Sequence, residues 1–85
     1  MIRAQHKGFL IFAAPEELTE SRKWSVRVLI QRNLKTASVS RQQYFKSKNT
    51  CDSREEAEAH CIFYALRVID GKIPGQNTNR LFSVI

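Results

Sequence analysis

The chain has 85 residues, which leaves room for one domain, residues 1–85, with a small hydrophobic core. Its formal net charge is +6 at pH 7, a value that favours polyanionic partners. The longest apolar run, residues 9–14, is far shorter than the roughly 20 residues that cross a bilayer, so we predict no membrane partner.

Two segments in the first half of the chain predict strands, after a polar lead-in over residues 1–7. Residues 8–14 form a compact apolar run that Pro15 ends. Residues 23–32 alternate between an outward set that includes Arg27 and an apolar set. We expect the apolar set to face a helix, and its members are Trp24, Val26, Val28 and Ile30.

A third strand is predicted over residues 38–47, following a turn at residues 33–37. Its alternation is irregular, because Arg41 and Gln43 share a side with Phe45 while Tyr44 lies on the other side. A β-bulge near residues 41–43 would resolve this irregularity.

Residues 53–70 predict one long amphipathic helix with both ends marked. Ser53 and Glu56 fit a capping box, and the acidic first turn suits the helix dipole. Gly71 and Pro74 end the helix. Apolar residues at spacings of three, four and seven form a wide face, and Phe63 and Leu66 extend the apolar surface to the opposite side.

The tail, residues 72–85, begins as a loop rich in Gly, Pro and Asn and ends on the apolar residues 81–85. We expect this ending either to cover the helix or to add a strand to the sheet. Short connections between the predicted elements indicate an α+β fold, a three-stranded antiparallel meander with one long helix packed on one face.

The layout resembles the plant AP2/ERF DNA-binding domain and the amino-terminal DNA-binding domains of tyrosine-type integrases. Lys23 and Trp24 open a strand, and the sequence DSREEA of residues 52–57 follows a later strand, as in that family. The resemblance implies that Trp24 is a core residue and that Arg27 meets DNA. No other DNA-contacting residue of the family has a counterpart here. The order of elements is also similar to that of small bacterial proteins built from three strands and a helix.

Positive charge is concentrated in residues 21–50, which hold eight basic residues and no acidic one. Such a segment predicts either a surface for DNA or RNA or a solvated sheet protected against aggregation. We predict a non-enzymatic nucleic-acid-binding module whose site comprises Arg27, Arg32, Lys35, Arg41, Lys46 and Lys48. On this hypothesis, Arg27→Glu should weaken binding.

The alternative hypothesis is a protein-interaction domain, with a homodimer as the simplest form. Its interface would use the second apolar side of the helix and the tail, through Phe63, Leu66, Leu81 and Phe82. The same side chains could instead complete an intramolecular core.

Cofactor, metal and catalytic sites are not predicted. A zinc site usually has four ligands in closely spaced pairs, whereas here only His60, Cys61, Cys51 and the distant His6 could contribute. No nucleophile stands beside a recognisable base, and the acidic residues near Glu56 are explained by helix capping. The two cysteines lie too far apart to bridge, which favours reduced thiols and a cytoplasmic protein.

Overall fold

The computed structural model describes residues 3–32 and 41–78. A four-stranded antiparallel sheet, in the order β1-β2-β3-β4, carries one helix on one face. The elements are β1 (Arg3–His6), β2 (Phe9–Ala13), β3 (Trp24–Arg32), β4 (Arg41–Cys51) and α1 (Arg54–Ile69). The predicted α+β class, the antiparallel sheet and the helix are confirmed, but the prediction of three strands is wrong.

The additional strand is β1, in the segment predicted to be a lead-in. It pairs with β2 from Arg3 opposite Phe12 to His6 opposite Phe9, so Lys7 and Gly8 alone make the turn. Both have positive φ, 50° at Lys7 and 83° at Gly8, as a type I′ turn requires. The backbone twist of a type I′ turn matches the right-handed twist of the paired strands, which is why a two-residue connection is sufficient.

Asp70, the C-cap residue of α1, fixes this hairpin to the helix. One carboxylate oxygen lies 2.7 Å from Lys7 Nζ and 3.0 Å from His6 Nε2. Lys7 and then His6 stabilise the charged carboxylate, and they lower the pKa of Asp70 from its ordinary value of 3.8 to about 2. The hairpin turn and the helix end are therefore coupled through one acidic group.

This contact predicts a pH-dependent contribution to stability. The pKa of Asp70 is depressed in the folded chain, so its contribution is present above about pH 4 and is lost as the pH falls toward 2. We expect Asp70→Asn to lower the melting temperature above pH 4 and to leave it nearly unchanged at pH 2. Thermal unfolding of both chains, followed by circular dichroism from pH 2 to 6, measures the difference. A difference that stays constant across this range would contradict the assignment.

The core lies between the sheet and α1. The helix contributes small or β-branched side chains, none of them exposed to solvent: Ala57, Cys61, Ala65 and Val68. The strands contribute Phe9, Ile11, Ala13, Val26, Val28, Ile30, Phe45 and Cys51, each at most 5% exposed. The alternation read in β3 is thus confirmed for its three aliphatic residues, and Trp24 packs partly buried against the same core.

β3 and β4 pair in two registers. Arg41 to Lys46 stand opposite Arg32 to Arg27 without interruption, and Thr50 and Cys51 stand opposite Ser25 and Trp24. Between these two stretches β3 contributes only Val26, whereas β4 contributes residues 47–49. The irregularity of β4 therefore lies at its second half, not at residues 41–43 where a bulge was expected.

The connection between β2 and β3 folds over the start of β3. Ser25 N donates to Glu16 O at 2.8 Å, and Glu16 N donates to Ser25 Oγ at 3.1 Å. These bonds leave Ser25 only 1% exposed although it lies on the side of the sheet away from the helix. This loop places the carboxylate of Glu16 beside the sheet surface.

Within the described residues, no helix has both the length and the hydropathy needed to traverse a bilayer. The cytoplasmic location stays a prediction.

Candidate nucleic-acid interface

The side of the sheet opposite α1 is called here the outer face. The register assigns to it every second residue of each strand, because neighbouring side chains of a strand point to opposite sides. One row crosses all four strands, from Arg3 through Phe12 and Leu29 to Tyr44. Where the strands pair without interruption, the set comprises Arg3, Gln5, Leu10, Phe12, Arg27, Leu29, Gln31, Gln42, Tyr44 and Lys46, and the pair Ser25 and Thr50 continues it past the irregularity in β4.

Tyr44 is the most exposed large apolar side chain on this face, with 56% of its surface open to solvent. Arg27 lies diagonally across from it, and the guanidinium carbon is 5.0 Å from the centre of the Tyr44 ring. At this distance the cation interacts with the negative face of the ring. An aromatic ring and a planar cation thus form one open platform.

Arg27 is held in place by two further contacts. Its Nε donates to Ala14 O at 3.0 Å, and Nη1 lies 3.2 Å from Glu16 Oε1. The Arg27 side chain is one-third exposed and that of Glu16 about half exposed. The guanidinium is therefore oriented by the protein and neutralised in part by a solvent-accessible carboxylate.

Three of the six predicted basic residues come together. Lys46 stands directly opposite Arg27 on β4, and its side chain is exposed. Lys48 is also exposed, and it lines a shallow depression together with Lys46, Ser25 and Leu18. Arg27, Lys46 and Lys48 consequently surround the same end of the outer face.

The other three predicted basic residues are not found at this end of the outer face in the part of the chain that the structure describes. Arg32 and Arg41 stand opposite each other at the far end of β3 and β4, in positions that alternate with the outer face. Their strand neighbours on the same side are Ile30 and Gln43, so this side is the one that carries α1. Because β4 pairs with β3 without a shift from Arg41 to Phe45, these two residues, four positions apart, lie on the same side of the sheet. Lys35 lies outside the described residues.

Sequence reasoning missed several members of the outer face. Arg3 was missed because β1 was not predicted, and Glu16 because no local pattern ties a loop carboxylate to Arg27. The outward orientation of Tyr44 could have been predicted from the sequence, since the alternation of the third predicted strand already placed Tyr44 and Phe45 on opposite sides.

The residues predicted for a protein interface differ in their exposure to solvent. Phe63 is 62% exposed and forms a shallow apolar depression with Ala59 and His60. Leu66 is partly buried and packs against the core. Leu81 and Phe82 lie outside the described residues.

Both cysteines are free and buried, but their surroundings differ. The thiol of Cys61 donates to Arg27 O at 3.0 Å, within the core. Cys51 Sγ instead lies at the start of α1, within 4.8 Å of a carboxylate oxygen of Glu56 and a ring nitrogen of His60. Burial raises the pKa of the Cys51 thiol, and the nearby charges of Glu56 and Asp52 raise it further. A raised pKa disfavours a role for Cys51 as an activated nucleophile.

Comparisons of this chain with protein-family models, with curated proteins and with solved structures found no match. The layout resemblance to AP2/ERF and integrase amino-terminal domains stays a prediction, and the functional argument below is built on the residues themselves.

Proposed function

We propose that this chain is a non-enzymatic module that binds single-stranded nucleic acid on the outer face of its sheet. The observation that carries the proposal is the exposed Tyr44 ring with the Arg27 guanidinium over it and Lys46 adjacent. This combination offers a surface for base stacking and positive charge for phosphates at one place.

Stacking is the reason to favour a single strand over a duplex. An unpaired base can lie on an aromatic ring or on a planar guanidinium, and each such contact contributes about 1–3 kcal/mol. A duplex keeps its bases stacked on one another and would leave the Tyr44 ring without a partner. Phe12 and Leu29, in the same row as Tyr44, continue the apolar strip along which further bases would lie.

Polar contacts surround this strip. Lys46 and Lys48 provide cations for the phosphate backbone on one side of Tyr44. Gln31 and Gln42 stand opposite each other on the other side, and their amides can donate to and accept from base edges. The face therefore supplies each type of contact that single-strand recognition uses.

Glu16 gives a direct test of this site. Its carboxylate pairs with Arg27 and competes with a phosphate for the same guanidinium. We expect Glu16→Gln to raise the affinity for oligo(dT) and oligo(U) roughly two- to fivefold, comparable to the energy of an exposed ion pair. The backbone bonds between Glu16 and Ser25 do not depend on the carboxylate, so the loop should keep its position.

Fluorescence anisotropy of labelled oligonucleotides at low salt measures this effect. Glu55→Gln is the matched control, because it makes the same change in net charge on the helix, away from the outer face. Equal affinity gains in the two variants would mean that only the total charge matters. An affinity for the unmodified chain that is insensitive to salt, or no binding at low salt, would eliminate the proposal.

The exposed position of Phe63 supports a second candidate function, self-association through α1. Phe63 is 62% exposed on the side of the helix away from the buried face, where it lines a shallow apolar depression with Ala59 and His60. Two copies of the chain could bury Phe63 against each other. This homodimer stays a prediction.

A further inference from the structure

Three side chains of the types that serve as metal ligands converge where β4 meets α1. Cys51 is the last residue of β4, and Glu56 and His60 lie one turn apart on α1. The Cys51 sulfur, a Glu56 carboxylate oxygen and a His60 ring nitrogen all lie within 4.8 Å of one another. These three donors come from two elements and from positions up to nine residues apart, so the tertiary fold is what brings them together.

The spacing suits a small divalent cation. Zinc binds sulfur at about 2.3 Å and nitrogen or oxygen at about 2.0–2.2 Å, which places tetrahedral ligand atoms about 3.5 Å apart. Glu56 and His60 are exposed, so modest rotations of their side chains can close the remaining gap. Cys51 is only 5% exposed and its backbone pairs with Trp24, so it provides a fixed ligand.

We propose that Cys51, Glu56 and His60 form a binding site for a zinc-type divalent cation, with water as the fourth ligand. On binding, the Cys51 thiol transfers its proton to solvent and the resulting thiolate bonds to the metal. A mixed sulfur, nitrogen and oxygen set selects zinc or cobalt over magnesium or calcium, which prefer oxygen ligands. The site is independent of the outer face of the sheet.

Other roles of these residues are compatible with the site. The Glu56 amide donates to Ser53 Oγ at 3.2 Å, so capping uses the Glu56 backbone and leaves its carboxylate available. Asp52, adjacent to Cys51, pairs with Lys23 at 2.9 Å while remaining exposed. Its negative charge adds to the attraction for a cation at this end of the helix.

The chain has only two cysteines and two histidines, one of each in the cluster, so it supplies its own matched controls. Titration of the reduced chain with Co²⁺ reports thiolate ligation through a sulfur-to-cobalt charge-transfer band. We expect one Co²⁺ per chain, displaced by Zn²⁺. Cys51→Ser should abolish the band, and His60→Ala or Glu56→Gln should lower the affinity at least tenfold. Cys61→Ala and His6→Ala should leave both band and affinity unchanged.

Several results would overturn the site. These are the absence of a charge-transfer band in the unmodified chain, a band that persists in Cys51→Ser, and a band lost in a folded Cys61→Ala chain. If Cys51→Ser does not fold, the two exposed substitutions decide the question. Unchanged affinity in both His60→Ala and Glu56→Gln would then reject the site.

Discussion

Lys46→Glu is expected to reduce the affinity for single-stranded oligonucleotides about tenfold at low salt, or roughly 1.4 kcal/mol. Lys46 stands opposite Arg27 beside the exposed Tyr44 ring, so a carboxylate there would repel the phosphates that the platform attracts. The slope of log affinity against log salt should also fall by about one, because one phosphate contact is lost. The Lys46 side chain is exposed, and its carbonyl still accepts from Tyr64 Oη, so the fold should persist.

Arg41→Glu is the control for this prediction. It makes the same change in net charge on the same strand, but the register places Arg41 on the side that carries α1. It also replaces a like-charged pair with Arg32 by an opposite-charged pair, which should not destabilise the sheet. We expect a smaller loss of affinity than for Lys46→Glu. Equal losses from the two substitutions would place the nucleic acid elsewhere or show that binding is not localised.

Ile30→Ala should lower the free energy of unfolding by about 2–5 kcal/mol. Ile30 is fully buried in β3, between Ile11 on β2 and Gln43 on β4. The helix above it carries mostly small side chains that cannot extend into the space left by the missing atoms. A chain of this length has roughly 4–13 kcal/mol of stability in total, so this substitution should remove a large share.

Urea unfolding followed by circular dichroism measures this effect, and Leu29→Ala is the matched comparison. Leu29 is the adjacent residue of β3, lies on the outer face and is only partly buried, so we expect a cost of about 1 kcal/mol. A cost for Leu29→Ala as large as that for Ile30→Ala would indicate that the outer face is covered in solution.

The helix could be predicted from sequence almost to the residue, because its signals are local. The expected range of 53–70 corresponds to α1 at Arg54–Ile69 with Ser53 and Asp70 as its caps. Ser53 Oγ accepts from the Glu56 amide, and Gly71 has a φ of 74° as expected for a helix-ending glycine. Each of these features depends only on residues a few positions away.

β1 was not predicted, because an edge strand needs little hydrophobicity. Its one hydrophobic residue, Ala4, packs partly buried against the core, and polar residues at an edge protect it from aggregation. The usable signal was Gly8 alone, a residue that adopts positive φ without strain, directly before an apolar run. Lys7 also has positive φ, but Lys-Gly is not among the pairs that type I′ turns prefer, so a hairpin was only weakly indicated by the sequence.

The candidate sites were only partly predictable, because both depend on tertiary register. Arg27 could be assigned outward from alternation alone. The orientation of Arg41 required knowing where β4 shifts against β3, and the polar residues before Phe45 gave no indication of it. Glu56 was explained by capping, so nothing in the sequence connected it to Cys51 and His60.

The extra residues of β4 have a consequence for the chemistry at the strand's end. Between Lys46 and Thr50, β4 has two more residues than β3 has between the partners of those positions. An even excess preserves side-chain orientation beyond it, so Cys51 still points toward the helix as Phe45 does. Losing or gaining a single residue there would turn the sulfur away from the imidazole. The length of this spacer, more than its composition, therefore decides whether a cation can be held.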